Sequence, residues 1–338
     1  MNRDIHNTIA REYERRQKVS ADLAQQKKAE LYAKIPRLLE IDNQISFMGL
    51  KYNRLILTSN GSSSELLSEL EHNLKVLSDE KTSILAANNI RPDFFSPRYQ
   101  CEKCKDTGYI TETSGSQRCS CYKQQMINHL FARSNISLNG TESFENFDDK
   151  NYPEEVDQER YGIAVSPREN IINIKRTCLE FIGNIDNPDY KNLFFSGRTG
   201  VGKTFLSLCI ARELLNQGRT VLYLTAPVLF DIVTEHKMMA FKEDNYNDGK
   251  YQSIFGVELL IIDDLGTETL SDARYAELLN ILNTRQANNG LNPCKTIIST
   301  NLGPKKLFDL YTERIASRII GHFDRLVLAG IDIRSLKA

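Results

Sequence analysis

The sequence predicts an α/β phosphate-loop domain with a parallel sheet flanked by helices, preceded by an N-terminal helical domain and a small zinc-binding module. Three observations predict it. From about residue 171 strand-like and helix-like patterns alternate, which implies parallel strands joined by crossover helices. Within that alternation Gly197-Arg198-Thr199-Gly200-Val201-Gly202-Lys203-Thr204 matches G-x-x-x-x-G-K-[ST], after an apolar strand and before a helix. Upstream, four of the seven cysteines fall within 21 residues.

Residues 1–90 lack strand signals, and their first interior proline and glycine are Pro36 and Gly49. Leu31, Ile35, Leu38 and Ile45 recur at helical steps, with Asp42 interrupting the series. Ser59-Asn60-Gly61 reads as a turn. Ser62, with Glu65 three residues on, reads as a capping box for a helix whose apolar stripe is Leu66, Leu70, Leu74 and Leu77. The expectation is two or three amphipathic helices forming a hairpin. Nine Lys and Arg against six Asp and Glu in residues 1–40 read as a solvated face, or alternatively as a partner surface.

Residues 91–135 change character, with Pro92, Pro97, Gly108, Gly115 and the cysteine cluster. Cys101-x2-Cys104 and Cys119-x-Cys121 offer four thiolates, the donor set of tetrahedral Zn²⁺. C-x-C is a less usual spacing than C-x-x-C, so His129 stands as an alternative ligand; an Fe–S cluster or a redox pair are further readings. Cys178, Cys209 and Cys294 lie on apolar elements and read as small buried hydrophobes. Four of the seven cysteines falling within 21 residues read as a metal cluster rather than a disulfide framework, and a reducing cytoplasm fits best. Residues 136–170, with FENFDD and YPEEVDQE, are polar and acidic and read as a linker.

Residues 171–338 carry the α/β pattern. Leu193–Ser196, Thr220–Thr225, Glu258–Ile262 and Lys295–Thr300 read as strands. Helices are expected over 203–217, within 227–253 and over 271–288. The glycines of residues 197–204 let backbone N–H groups face phosphates, and the following helix N-terminus adds partial positive charge. Lys203 can reach the β- and γ-phosphates of a nucleotide, and the Thr204 hydroxyl can ligate Mg²⁺. The apolar run Leu259-Leu260-Ile261-Ile262 ends in Asp263-Asp264, where a carboxylate lies beside the phosphate loop of an open α/β sheet. Asp263 is the expected Mg²⁺ partner and Asp264 the group that polarises an attacking water. Asn301, after the strand KTIIST, can orient that water, although Asn also commonly starts turns.

Composition sets outer bounds. With 338 residues, 41% hydrophobic and 26% charged, the chain has the make-up of a soluble globular protein of about two domains. A formal net charge of −1 excludes a wholly basic nucleic-acid binder and leaves a local basic groove open. The charged start MNRDIHNTIAREYERR is no signal peptide, and no apolar run approaches the ~18 residues of a membrane span.

The phosphate loop, LLIIDDLGTE, IISTN, the segment Glu313-Arg314-Ile315-Ala316-Ser317-Arg318 and the ending Gly330-Ile331-Asp332-Ile333-Arg334 together resemble the AAA+ ATPases of the DnaC/DnaI type. These are bacterial replicative helicase loaders, related to the transposition helper IstB. The resemblance covers about residues 140–338. It implies that Asn301 takes the sensor-1 place, Arg318 the arginine-finger place and Arg334 the sensor-2 place, with Arg314 as a structural arginine. A finger given by a neighbouring copy implies a homo-oligomer when ATP is bound. CxxC-KDTGYI followed by CxC is similar to the zinc segment preceding the ATPase domain in many DnaI-like loaders. The resemblance further implies helicase binding by residues 1–90 and single-stranded DNA binding near the insertion between strands 220–225 and 258–262. There Phe230 and Phe241 read as core, and Lys237 and Lys242 as solvated. Many AAA+ proteins carry Asp-Glu where this chain has Asp263-Asp264, and the shorter acid implies slow hydrolysis, a switch more than a motor. An IstB-like transposition helper and a non-hydrolysing, nucleotide-gated adaptor are the alternative functions. A small-molecule kinase fits worse, because the arginine segments match sensing between subunits.

Overall fold

The computed structural model describes residues 2–58, 64–112, 115–131, 142–242, 248–269, 272–311 and 313–336. The turn expected at Ser59-Asn60-Gly61 and the cap expected at Ser62 lie outside them. The chain divides into two compact units, Ala10–Gln117 and Met1–Ile9 together with Arg118–Ala338. Among the described residues, no helix is long and apolar enough to cross a membrane.

The first unit is built on α1 (Asn2–Lys34), whose opening turns belong to the other unit, α2 (Pro36–Thr58) and α3 (Ser64–Ala87). Pro36 separates α1 from α2, since proline cannot donate to the preceding turn yet suits a first helical position. Leu31, Leu38 and Leu85 form the centre of a small core, flanked by Ile35, Ile84 and Phe95. Asp42, the residue that interrupts the apolar series, is a polar tie. Its carboxylate accepts from the Lys81 ammonium of α3 at 2.6 Å and from the Tyr32 hydroxyl of α1. Arg37 adds a two-pronged pair to Glu80 at 2.7 and 3.0 Å. In α3, Leu70 and Leu77 are buried and Leu74 is half-buried, while the Leu66 side chain of the expected stripe lies outside the described residues. A two-stranded ribbon of β1 (Tyr109–Glu112) and β2 (Gly115–Arg118) follows.

The second unit holds α4 (Ser120–Leu130), α5 (Gln158–Tyr161), α6 (Pro167–Gly183), β3 (Asn192–Ser196), α7 (Lys203–Asn216), β4 (Val221–Thr225), α8 (Ala226–Lys242) and α9 (Gly249–Gly256). These lead into β5 (Leu259–Leu265), α10 (Asp272–Asn288), β6 (Lys295–Thr300), α11 (Pro304–Leu310), α12 (Glu313–His322) and β7 (Phe323–Val327). The five strands β3 to β7 form the expected parallel sheet, in the order β4-β5-β6-β3-β7. Successive side chains of a strand point to opposite faces. Phe194, Leu222, Leu224, Leu260, Ile262 and Ile298 accordingly share a core with α8, α9, α10 and α12. Leu193, Phe195, Tyr223, Leu259, Ile261 and Ile297 share the other with α6 and α7. Both faces being covered, the strands read as continuous apolar runs.

The ends of the elements have local causes. The Ser166 hydroxyl accepts from the Glu169 N–H at 3.2 Å and Pro167 opens α6. Arg285 of α10 is fully buried and donates to the carbonyls of Ile254 (2.7 Å), Val257 (3.1 Å) and Lys295 (2.6 Å) and to the Thr296 hydroxyl (3.0 Å), tying α9, β6 and the entry to β5. On the edge strand β4, the Gln124 side chain of α4 pairs with both backbone groups of Val221. Its Nε2 donates to the carbonyl at 3.0 Å and its Oε1 accepts from the N–H at 2.8 Å.

Three features differ from the sequence reading. The strand expected at Glu258–Ile262 runs on through both aspartates to Leu265. Strand β7 was not expected, because FDRLV alternates apolar and charged residues at an edge and carries no buried run. Phe241, expected in the core, is 93% exposed: the buried residues of α8 end at Val233, and the helix continues two turns beyond them. Phe230 is buried, Lys237 and Lys242 are exposed, and Cys178, Cys209 and Cys294 are buried, as read from the sequence.

Candidate functional site

The site lies where β3, β5 and β6 end, at the carboxyl edge of the sheet, beside the point at which the strand order reverses. β3 delivers the chain into residues 197–202, and α7 begins at Lys203. Gly197, Gly200 and Gly202 all have positive φ. At Gly202 the need for glycine is also steric, since a Cβ would stand 2.5 Å from the Tyr152 hydroxyl. That hydroxyl donates to the Val201 carbonyl at 3.0 Å and pins the loop from outside.

The Lys203 ammonium donates to the carbonyls of Gly197 and Arg198, both at 2.8 Å, and to the Asn301 amide oxygen at 2.6 Å. Burial pushes its pKa down, while Asp264 and Asp263 hold it up. The Thr204 hydroxyl meets an Asp263 carboxylate oxygen at 3.0 Å. Asp263 is buried and also accepts from the Ser299 and Tyr223 hydroxyls. Burial, and next the Asp263 charge, push the Tyr223 phenol well above its usual range.

Two adjacent acids in a regular strand would face opposite sides of the sheet. Here the pairing of β5 with β6 passes from Ile262 opposite Ile298 to Leu265 opposite Thr300, so two aspartates stand opposite the single Ser299. This is a bulge, a device that re-aims a side chain. Asp264 adopts φ +55°, an uncommon conformation for a residue with a side chain. The Ser299 hydroxyl accepts from the Asp264 N–H at 3.1 Å, and the Asn301 amide donates to the Asp264 carboxylate at 3.2 Å. Burial, and then the Asp263 charge, raise the Asp264 carboxyl above the ordinary range.

A cavity of about 440 Å³ opens beside the loop, within the size range of small-molecule sites. Lys203, Thr204, Asp264, Asn301 and Arg334 line it. Asn146, Phe147, Asn151 and Tyr152 line it too, from the segment read as a linker. Sequence reasoning missed these four. The aromatic residues of FENF and NYP inside an acidic stretch were the available signal, and Phe147 stacks on Tyr152 at 6.3 Å. Arg318 is not among the residues lining this cavity. It is exposed on α12, with its Nε donating to Asn283 at 2.8 Å, and Arg314 is exposed on the same helix.

Residues 155–325, just over half of the chain, match the family described as IstB-like ATP binding protein. The chain belongs to the IstB-like ATP-binding family. Its fold is the AAA+ phosphate-loop fold, with an N-terminal helical region ahead of it. Among similar proteins, a putative insertion sequence ATP-binding protein of Sinorhizobium fredii is 28% identical over 165 residues, 46% of this chain and 62% of that protein. The replicative helicase loader DnaC of Escherichia coli K12 is 27% identical over 162 residues, 48% of this chain and 61% of that protein. The chain thus spans about three-fifths of the length of these relatives. The crystal structure of DnaI is 23% identical with a TM-score of 0.41, covering 58% of this chain and 92% of that one.

The cysteines form a second constellation. Cys104 and Cys119 are buried, and Cys101 and Cys121 are half-buried. The four sulfur atoms all lie within 4.8 Å of one another. Tetrahedral bonds of ~2.3 Å would put sulfurs about 3.8 Å apart, so this donor set fits Zn²⁺. His129 is exposed and outside the group. The Asp106 carboxylate accepts from the N–H groups of Gln100 and Cys101, both at 2.9 Å, and fixes the first pair's turn.

Proposed function

We propose that this protein is an ATP-dependent loader that delivers a replicative DNA helicase to single-stranded DNA and hydrolyses ATP slowly within an AAA+ assembly. The observation that carries the reading is the continuous polar chain Thr204–Asp263–Ser299–Asp264–Asn301–Lys203 around the phosphate loop. The loop residues Gly197, Arg198, Thr199, Gly200, Val201 and Gly202 would hold the phosphates with their backbone, and Lys203 with its charge. A phosphate oxygen that reaches Lys203 replaces one of its three acceptors, and release of Asn301 would free that amide to orient water. Asp264, held by the bulge, would take the water's proton. Thr204 and Asp263 would hold Mg²⁺, which supplies charge neutralisation at the phosphates. Arg334 would answer the γ-phosphate within one copy. Arg318, turned away from its own cavity, suits donation to a neighbour's nucleotide, a contribution worth about 10³–10⁵ in rate where such fingers act. The four cysteines would hold a structural zinc ion. The relatives named as replicative helicase loaders support a helicase as partner.

Single-turnover ATP hydrolysis by the full chain tests this, together with co-purification with a replicative helicase with and without ATP. Lys203→Ala should lose nucleotide binding, Asp264→Ala should bind without hydrolysing, and Arg318→Ala should bind but lose hydrolysis or assembly. Phosphate release unchanged by Lys203→Ala and Asp264→Ala would leave a nucleotide-gated adaptor. The insertion-sequence relative favours a second reading, a transposition helper, and capture of a transposase in place of the helicase would establish it.

A further inference from the structure

Arg334 enters the nucleotide cavity from a single 3₁₀ turn, Ile333–Leu336, near the end of the described chain. So short a turn is marginal by itself, and its hold on an arginine depends on what fastens it. Two fastenings lead to the phosphate loop. The Ile333 N–H donates to the Gly200 carbonyl at 3.1 Å, and the Ile333 side chain packs on the core that holds Val201 and Leu206. The second is Asp332. Its carboxylate oxygen accepts from the Arg334 N–H at 3.0 Å, and its carbonyl accepts from the Ser335 N–H at 3.2 Å and hydroxyl at 2.6 Å. The same carboxylate occupies the space that a side chain at residue 200 would need: a Cβ on Gly200 would lie 2.0 Å from its Oδ1 and 2.2 Å from its Cγ.

We infer that Asp332 is a positioning residue for Arg334: its carboxylate, seated against Gly200, caps the turn that carries the guanidinium, so that the phosphate loop and the arginine keep one fixed relation. The proposal rests on the reading of Arg334 as the group that answers the γ-phosphate. It assigns Gly200 a role separate from phosphate contact, that of leaving room for a carboxylate delivered from more than 130 residues downstream. A loop that changes shape around a triphosphate then moves the arginine with it, through one side chain and one backbone bond.

Fluorescent ATP and ADP analogues titrated against the full chain test the inference, with Asp332→Ala, Asp332→Asn, Arg334→Ala and the double variant Asp332→Ala/Arg334→Ala. Gly200→Ala is unsuitable because φ +80° would strain the loop itself. Losing one charged contact to a phosphate should lower ATP affinity about tenfold in Arg334→Ala and leave ADP affinity within about twofold. Asp332→Ala should lose most of the same ATP-over-ADP preference. Asp332→Asn keeps an acceptor oxygen and should restore it. The double variant should be no worse than Arg334→Ala, since the two residues act as a unit. Equal loss of ATP and ADP in Asp332→Ala would reduce the residue to a structural role and overturn the inference, as would an unchanged preference or additive losses in the double variant. An unchanged preference in Arg334→Ala would instead overturn the reading of Arg334, and the inference with it.

Discussion

Burial and a neighbouring acid both push the Asp264 carboxyl above the ~3.9 of a free aspartate, which brings it closer to the working range of a general base. The sign follows from the protonation state required. With Asp264 in its proposed role as base, hydrolysis needs the unprotonated carboxylate, so the rate should fall as pH drops through this raised value, at a higher pH than a solvated aspartate would give. The Asn301 amide donates to Asp264 and stabilises its anion, so Asn301→Ala should shift the acid limb further upward. A pH profile of kcat/KM for both proteins measures this, and a limb that stays put would remove Asp264 from the role of base. At this scale the sequence was most legible where chemistry needs neighbours in the chain: the phosphate loop and Asp263-Asp264 are contiguous. Tyr152 and Phe147 were not legible, because their tie to the loop is a tertiary contact between Tyr152 and Val201 across 49 residues.

Between residues and molecule, the turn after β5 has its own consequence. Glu268 is buried; it accepts from the Gly266 N–H at 2.8 Å and from the Tyr311 hydroxyl. Gly266 follows Asp264 by two residues, and Tyr311 stands just ahead of α12, which carries Arg318. One carboxylate therefore fastens the acid of one site to the helix whose arginine is aimed outward. Tyr311→Phe should cost about 1–3 kcal/mol by leaving that buried carboxylate short of a donor. A thermal melt should register the loss, and the part of hydrolysis that depends on protein concentration should fall more than nucleotide binding. The cysteine elements give a separate test: elemental analysis should find one zinc per chain, lost in Cys104→Ser, whose site no longer has four thiolates. Helices and buried strands were readable from periodicity. β7 was not, since an edge strand with Asp324 and Arg325 between apolar residues looks like a loop. The β5 bulge was not either, since no local residue pattern announces it.

On the scale of the molecule, residues 1–90 do not separate cleanly from the phosphate-loop domain. Met1–Ile9 group with residues 118–338, and His6 hydrogen-bonds the Tyr122 hydroxyl at 2.8 Å. A chain starting at residue 91 should therefore bind nucleotide yet melt at a lower temperature, and, if the proposed function holds, it should fail to capture a replicative helicase. Retention of capture would place the docking surface elsewhere. The Gln124 pair with Val221 has a consequence of a different kind. An outermost strand with bare amide and carbonyl groups invites identical chains to add on. One glutamine here imitates the missing neighbour and satisfies that position, so Gln124→Ala should leave catalysis intact while light scattering rises on warming, as copies begin to stack along the uncovered rim.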